Sequence, residues 1–156
     1  MEIAIGADHN GVALKAMIKE QLIAQGHNVS DFGPHHSTPT DFPDSAVEVG
    51  EAVATGAAAQ GILICGNGVG MTIAANKIEN IRAALCHDLL SARQAREHND
   101  TNVLCLGGLI IGDALAQEIV QTYLTANYKG NHPNGERYAR RVGKIENLDR
   151  KPRETV

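Results

Sequence analysis

The sequence predicts a doubly wound, three-layer αβα fold: a five-stranded parallel sheet between helices, extended by a C-terminal helical arm. Three observations carry this. Strand-like apolar runs alternate with helix-period segments along the 156 residues. The run Gly61-Ile62-Leu63-Ile64-Cys65 is too apolar for a strand with one wet face, so it belongs at the centre of a parallel sheet. The length fits one domain, 1–156, with a real hydrophobic core, and no repeat or low-complexity segment interrupts it.

Residues 2–6 (EIAIG) form the first strand. Residues 11–25 follow as a helix, with Val12, Leu14, Met17, Ile18 and Leu22 at helical spacing and Gly26 as its cap. Residues 27–32 are a second, weaker strand. Gly33, Pro34, Pro39 and Pro43 make 33–43 a loop, and Pro43 opens a helix over about 43–56 with Asp41 or Phe42 at its cap. Strand three, 61–65, leads into a helix from about 69 to 77. Residues 82–86 are strand four, 88–97 a helix, 102–106 strand five and 112–127 a long helix. Gly130, Pro133 and Gly135 break the pattern; 136–148 forms one more helix and 149–156 frays. Residues 128–156 thus behave as an arm.

Fourteen basic against eighteen acidic residues give a formal charge of −4, so no bulk attraction to nucleic acid or membrane is expected. Eight of the fourteen bases nevertheless fall between Lys129 and Arg153. A positive tail on an acidic body suggests an anion site or a self-association contact. Cys65, Cys86 and Cys105 are too widely spaced for a disulfide framework or a C-x-x-C zinc site. They suit a reducing cytoplasm, with Cys86 and Cys105 as buried small hydrophobes. The start, MEIAIGADHN, has neither the basic region of a signal peptide nor the length of a membrane span. A cytoplasmic protein is expected.

Four segments could carry chemistry. The turn Cys65-Gly66-Asn67-Gly68-Val69-Gly70 ends the central strand, where open α/β sheets place ligands. Its glycine spacing is not that of a dinucleotide fingerprint, and no Lys-Ser/Thr pair makes it a P-loop, so no nucleotide cofactor is implied. What remains is a nest of backbone N–H groups suited to an oxyanion or phosphate, which should also favour a thiolate at Cys65. The second segment, Gly6-Ala7-Asp8-His9-Asn10-Gly11, ends strand one on the same edge; Asp8 either caps the first helix or faces the crevice beside His9. The third is His98-Asn99-Asp100-Thr101-Asn102, more polar than a structural helix-to-strand junction needs. The fourth is Glu136-Arg137-Tyr138-Ala139-Arg140-Arg141, where Arg137 and Arg141 share a helical face and can converge on one dianion.

Together these segments resemble the ribose-5-phosphate isomerase B family, which also contains the galactose-6-phosphate isomerase subunits. The resemblance runs through GADHNG at 6–11, TDFPD at 40–44, ILICGNGVGM and IAANK within 62–77, RAALCHD at 82–88, SARQAREHNDTNVLCLG at 91–107 and ERYARRV at 136–142. It implies metal-free interconversion of aldose and ketose phosphates through a cis-enediolate. Ribose 5-phosphate is the first choice, with a hexose 6-phosphate (galactose or allose type) or a tetrose phosphate as alternatives, and a binding module without catalysis as the non-enzyme alternative. By resemblance, Cys65 is the base and His98 assists ring opening. Asp8 and His9 bind substrate, Gly66, Asn67, Gly68, Val69 and Gly70 hold the enediolate oxygens, and Asn99 contacts a sugar hydroxyl. Arg137 and Arg141 hold the phosphate from a partner subunit in a homodimer or tetramer. A hydride shift would need a metal site, and no matching cluster of carboxylates stands among these segments; His35 and His36 sit in a proline-bounded surface loop. Three positions depart from the family pattern: Leu109 where a basic residue is common, Asn67 for Thr or Ser, and Phe42 for Tyr. Arg140 or Lys144 could replace the missing base at 109.

Overall fold

The computed structural model describes residues 1–149, so the expected fraying lies, past Asp149, outside the described residues. The elements are β1 (Glu2–Ala7), α1 (Val12–Ala24), β2 (Asn28–Phe32), α2 (Phe42–Ala54), β3 (Gln60–Cys65) and α3 (Val69–Ala75). They continue with β4 (Ala83–Leu85), α4 (Leu89–Asn99), β5 (Val103–Gly107), α5 (Asp113–Thr125), a 3₁₀ turn (Lys129–Asn131) and α6 (Glu136–Asp149). The strands pair in the order β2-β1-β3-β5-β4, all parallel, with β3 in the middle as its apolar run requires.

Side chains along β3 alternate between two buried faces. Ile62 and Ile64 join Leu14, Ile18 and Leu22 of α1 and Ile119, Val120 and Tyr123 of α5. Leu63 and Cys65 join Ala46, Val49 and Val53 of α2 and Met71 and Ala75 of α3. Neither face meets water, which is why no polar residue interrupts the run. The first turn can close on this strand only because residue 11 is glycine: a Cβ there would stand 2.5 Å from the Ile64 carbonyl oxygen.

Element ends fall within a residue or two of the expected ones, and only the 3₁₀ turn was unforeseen. β4 is only three residues long because the Arg82 N–H donates to Asn102 Oδ1 at 2.8 Å instead of to the ladder. Helix α6 packs outside the sandwich, burying Tyr138 and Val142 against α4 and the 3₁₀ turn.

Periodicity did not announce Lys15, which is 2% exposed on α1. Its Nζ stands 2.7 Å from Asp31 Oδ1 at the end of β2 and donates to the carbonyls of Phe32 (2.8 Å) and Pro34 (3.0 Å). Lys19 adds a second contact to Asp31 at 2.8 Å. Burial alone would push the Asp31 carboxyl up, but hydrogen bonds and charge from Lys15 and Lys19 outweigh it and hold it below the ordinary range. This clamp anchors the start of the loop that reaches the carboxyl edge of the sheet.

Lys15→Met should destabilise the fold by about 3 kcal/mol, the lower end for breaking a buried pair, because Lys19 still faces Asp31. A lowered folded pKa means the clamp's contribution is complete above about pH 4, the unfolded carboxylate value, and is lost as pH falls through the folded value. Urea midpoints measured from pH 7 to pH 3 should therefore fall less steeply for the variant; parallel curves would remove Asp31 from the acid limb.

Candidate active site

At the carboxyl edge Ala7 pairs with Ile64 and Cys65 with Gly107, so three strand ends deliver their turns to one place. The Asp8 N–H donates to the Ile64 carbonyl at 3.1 Å. Asp8 Oδ1 accepts the N–H groups of Asn10 at 2.9 Å and Gly11 at 3.2 Å, so the residue closes its own turn, while the cap position of α1 is Gly11 and receives no side-chain bond. Buried, it also lines a cleft of about 310 Å³ with Cys65, Gly66, Asn67 and Gly70, closed by the apolar Phe42, Leu109 and Ile110. All three departures from the family pattern, Phe42, Asn67 and Leu109, border this one cleft.

Cys65 is 5% exposed at the cleft floor, and its Sγ accepts the Gly68 N–H at 3.2 Å. That contact needs Gly68 at φ 78°, with no room for a side chain: a Cβ would lie 2.3 Å from Leu85 Cδ1 and 3.0 Å from the Leu106 carbonyl. The Val69 N–H goes to Asn67 Oδ1 at 3.0 Å. Two donors of the expected cradle are therefore engaged by the loop's own side chains. Opposite them, Gly108 N–H donates to the Cys65 carbonyl at 2.8 Å and Leu109 N–H to the Gly66 carbonyl at 2.9 Å. These bonds seat the turn after β5 on the glycine loop.

His87, which sequence reasoning passed over, follows β4 on the same edge, and its Nε2 accepts the Gly107 N–H at 3.1 Å. Its position directly after the expected strand 82–86, like that of Asp8 after the first, was the available signal. His9 accepts the Thr40 N–H on Nδ1 at 3.2 Å.

The remaining candidates gather elsewhere. α4 returns the chain to the amino edge, so His98 and Asn99 stand before Val103, while Cys65 pairs with Gly107 at the far end of β5. The length of that strand separates the two groups by roughly 13 Å or more. His98 stacks on Tyr138 with ring centroids 4.7 Å apart, and the Arg137 guanidinium lies 4.5 Å from the same ring. Arg137 also donates to the Tyr138 hydroxyl. Arg137, Arg140, Arg141 and Lys144 are exposed along α6. Arg82 ties this cluster together, bonding Asp100 Oδ2 at 3.0 Å and Glu146 of α6 at 3.4 Å. One chain thus brings Asp8, Cys65 and the glycine loop together, and separately His98, Asn99 and the arginines. It does not bring the two sets to each other.

A larger hollow of about 470 Å³ adjoins the second set, lined by Glu97, Lys129, His132 and Tyr138 among others. Lys129 and Glu97 neutralise each other there at 2.6 Å, and no thiol faces it. Chemistry rather than size selects the smaller cleft.

Burial pushes the Cys86 thiol up to about 11 and the Cys105 thiol up to about 12. At pH 8 each is then thiolate in about one molecule per thousand or fewer. Iodoacetamide at that pH should leave both unmodified in the folded protein, checked by peptide mass spectrometry; rapid labelling of either would contradict their burial.

The family model described as Ribose/Galactose Isomerase matches residues 3–145. The chain is 48% identical over 129 residues to ribose-5-phosphate isomerase B of Escherichia coli (strain K12), covering 83% of this chain and 87% of that one. It is 42% identical over 132 residues to the D-erythrulose-4-phosphate isomerase of Pectobacterium atrosepticum, covering 83% and 86%. Among solved structures, ribose-5-phosphate isomerase B of Clostridium thermocellum superposes with a TM-score of 0.91 at 46% identity, covering 96% of this chain and 98% of that one.

Proposed function

The chain belongs to the ribose/galactose isomerase family, and on that premise we propose that it interconverts ribose 5-phosphate and ribulose 5-phosphate in the cytoplasm, with Cys65 as the base. One observation carries the assignment of the base. Of the groups lining the cleft, only Asp8 and Cys65 can exchange a proton, and Asp8 already serves two backbone donors through Oδ1. In the proposed step the Cys65 thiolate takes the proton from C2 of the open-chain aldose and returns it to C1. The hydroxyl proton of O2 passes to O1, so the product is the 2-ketose and the protein ends unchanged. Negative charge grows on oxygen in the enediolate, where aimed donors are usually the largest catalytic term. Gly68 N–H keeps a donor on the sulfur while it holds no proton.

His98, Asn99, Arg137 and Arg141 enter from a second copy of the chain. The sequence assigned only the arginines to a partner, but the topology supports the same origin for His98 and Asn99, since all stand away from the carboxyl edge of their own chain. Two copies related by a twofold axis would make two equivalent composite sites. There His98 protonates the ring oxygen as the furanose opens, Asn99 meets a sugar hydroxyl and the arginines hold the phosphate. Arg140 and Lys144 lie on the same helix, so any replacement for the base missing at 109 would come from the partner as well.

The apolar Phe42 and Leu109 beside Asn67 favour a second reading of the substrate, a tetrose phosphate, in line with the relative named for D-erythrulose 4-phosphate. A panel of tetrose, pentose and hexose phosphates compared by kcat/KM decides between them. No turnover with any of these, despite binding, would leave only a sugar-phosphate-binding module.

Cys65→Ala should lose about 10²- to 10⁴-fold in kcat while still binding substrate; near-normal turnover would refute the base assignment. Mixing Cys65→Ala with His98→Ala protein should restore about a quarter of the unsubstituted activity once subunits exchange, because half the dimers are mixed and each holds one intact site. Exchange without recovery would return His98 to its own chain's site.

A further inference from the structure

Tyr138 touches two of the groups proposed to come from the second chain. The His98 ring stacks on it, with centroids 4.7 Å apart and planes 14° from parallel. The Arg137 guanidinium lies 4.5 Å from the same ring and donates to its hydroxyl. Tyr138 itself is buried, and the start of α6 fixes its place. Its N–H donates to the Gly135 carbonyl at 2.8 Å, and Gly135 is pressed so closely on the Lys129 carbonyl that a Cβ has no room.

Each contact removes a particular freedom. The N–H bonds of an imidazole lie in its plane, so a stack that sets the plane also sets the directions in which His98 can give or take a proton. Glu97 Oε2, at 4.0 Å from His98 Nε2, is too far to orient the ring by a hydrogen bond. Successive residues of a helix do not face each other, so Arg137 reaches the neighbouring ring only by folding across it. That fold draws the guanidinium toward the ring on which His98 rests. The hydroxyl takes one of its five N–H donors and leaves the others for a ligand.

We propose that Tyr138 is the positioning residue of the half-site that each chain presents to its partner. One ring sets the plane of the His98 imidazole and the place of the Arg137 guanidinium, and with them the spacing between proton transfer and phosphate grip. The proposal rests on the isomerase reading and the two-chain site above. In ribose 5-phosphate the ring oxygen sits on C4 and the phosphate on the adjoining C5, so the groups that meet them need a set separation. Tyr138 supplies it within one chain.

Steady-state kinetics with ribose 5-phosphate and subunit mixing test this. Tyr138→Phe keeps a ring under His98 and removes the hydroxyl, so KM should rise about 3- to 10-fold with kcat within about 2-fold. Tyr138→Leu removes the ring as well, so kcat should also fall, by about 10-fold or more, as proton transfer loses its alignment. Mixed with Cys65→Ala protein, Tyr138→Leu should recover activity, because one site of the mixed dimer joins an intact Cys65 to an intact partner half. Mixed with His98→Ala protein it should not, since both partner halves are then defective. Unchanged kcat/KM in both variants, equal losses in both, or recovery with His98→Ala would overturn the proposal. If Tyr138→Leu forms no dimers, Tyr138→Phe carries the test: its mixture with Cys65→Ala should regain the unsubstituted KM in part of the activity, and a uniformly raised KM would overturn the role. If the unsubstituted protein turns over no sugar phosphate, or Cys65→Ala and His98→Ala fail to complement, the reading above falls and takes this proposal with it. An active, complementing enzyme indifferent to Tyr138 removes the proposal alone.

Discussion

Because all five strands run the same way, each crossover helix must carry the chain from the carboxyl edge of the sheet back to the amino edge. Every candidate group inherits its place from that constraint. Residues directly after a strand, such as Asp8 after β1, Gly66 after β3 and His87 near the end of β4, share one edge. Residues at the end of a helix, such as His98 and Asn99, are delivered to the other. The division of the proposed site between two chains is a consequence of sheet polarity.

Around Cys65 the same economy of space sets the chemistry. The glycine loop is packed from both sides, by Leu85 and the Leu106 carbonyl against Gly68 and by Phe42 against Gly70, where a Cβ would lie 2.7 Å from the ring. The turn after β5 is bonded onto the carbonyls of Cys65 and Gly66. Such a loop cannot rearrange widely, so its donors are fixed in direction before any ligand arrives. Two of them are nevertheless spoken for, one by the sulfur and one by Asn67 Oδ1. An incoming oxyanion must compete with Asn67 for the Val69 N–H. An amide side chain at 67 thereby bears on the cradle itself.

The fold was legible because β3 cannot be read otherwise: five apolar residues without alternation fit only a strand covered on both faces, and its neighbours follow by alternation. Cys65 and the glycine loop were legible for the same reason, standing where that strand ends. Lys15 was not, because a lysine between apolar helix positions is indistinguishable from a surface lysine until Asp31 of β2 is seen beside it. Asp100 and Asn102 looked functional by polarity alone. They turn out to bind Arg82, Asp100 through its carboxylate and Asn102 through the Arg82 N–H, and so hold the helix-to-strand junction in shape. The edge on which His98 stands was readable from the order of elements, yet residue types at a junction say nothing of edges. Tyr138, which carries both His98 and Arg137, drew notice only as part of a basic helix.

The open rim of the cleft bears on why the halves should lie on separate chains. Leu109 is 71% exposed, Ile110 59% and Val69 45%, an apolar margin around a buried thiol. A lone chain leaves that margin wet and the thiol without an acid or a phosphate clamp. In the proposed two-chain site the surface that covers the margin is the one bearing Arg137, Arg141 and His98, so covering the cleft and supplying its charges become one event. Water is then displaced where an enediolate must survive, and phosphate binding at the arginines supplies energy that can be used at C1 and C2. The charges stay exposed on α6 until that contact forms, which avoids burying unpaired guanidinium groups within a single chain. In the proposed assembly, a basic arm on an acidic body is thus the arrangement that lets one fold hold base and cation apart and bring them together only when two chains meet.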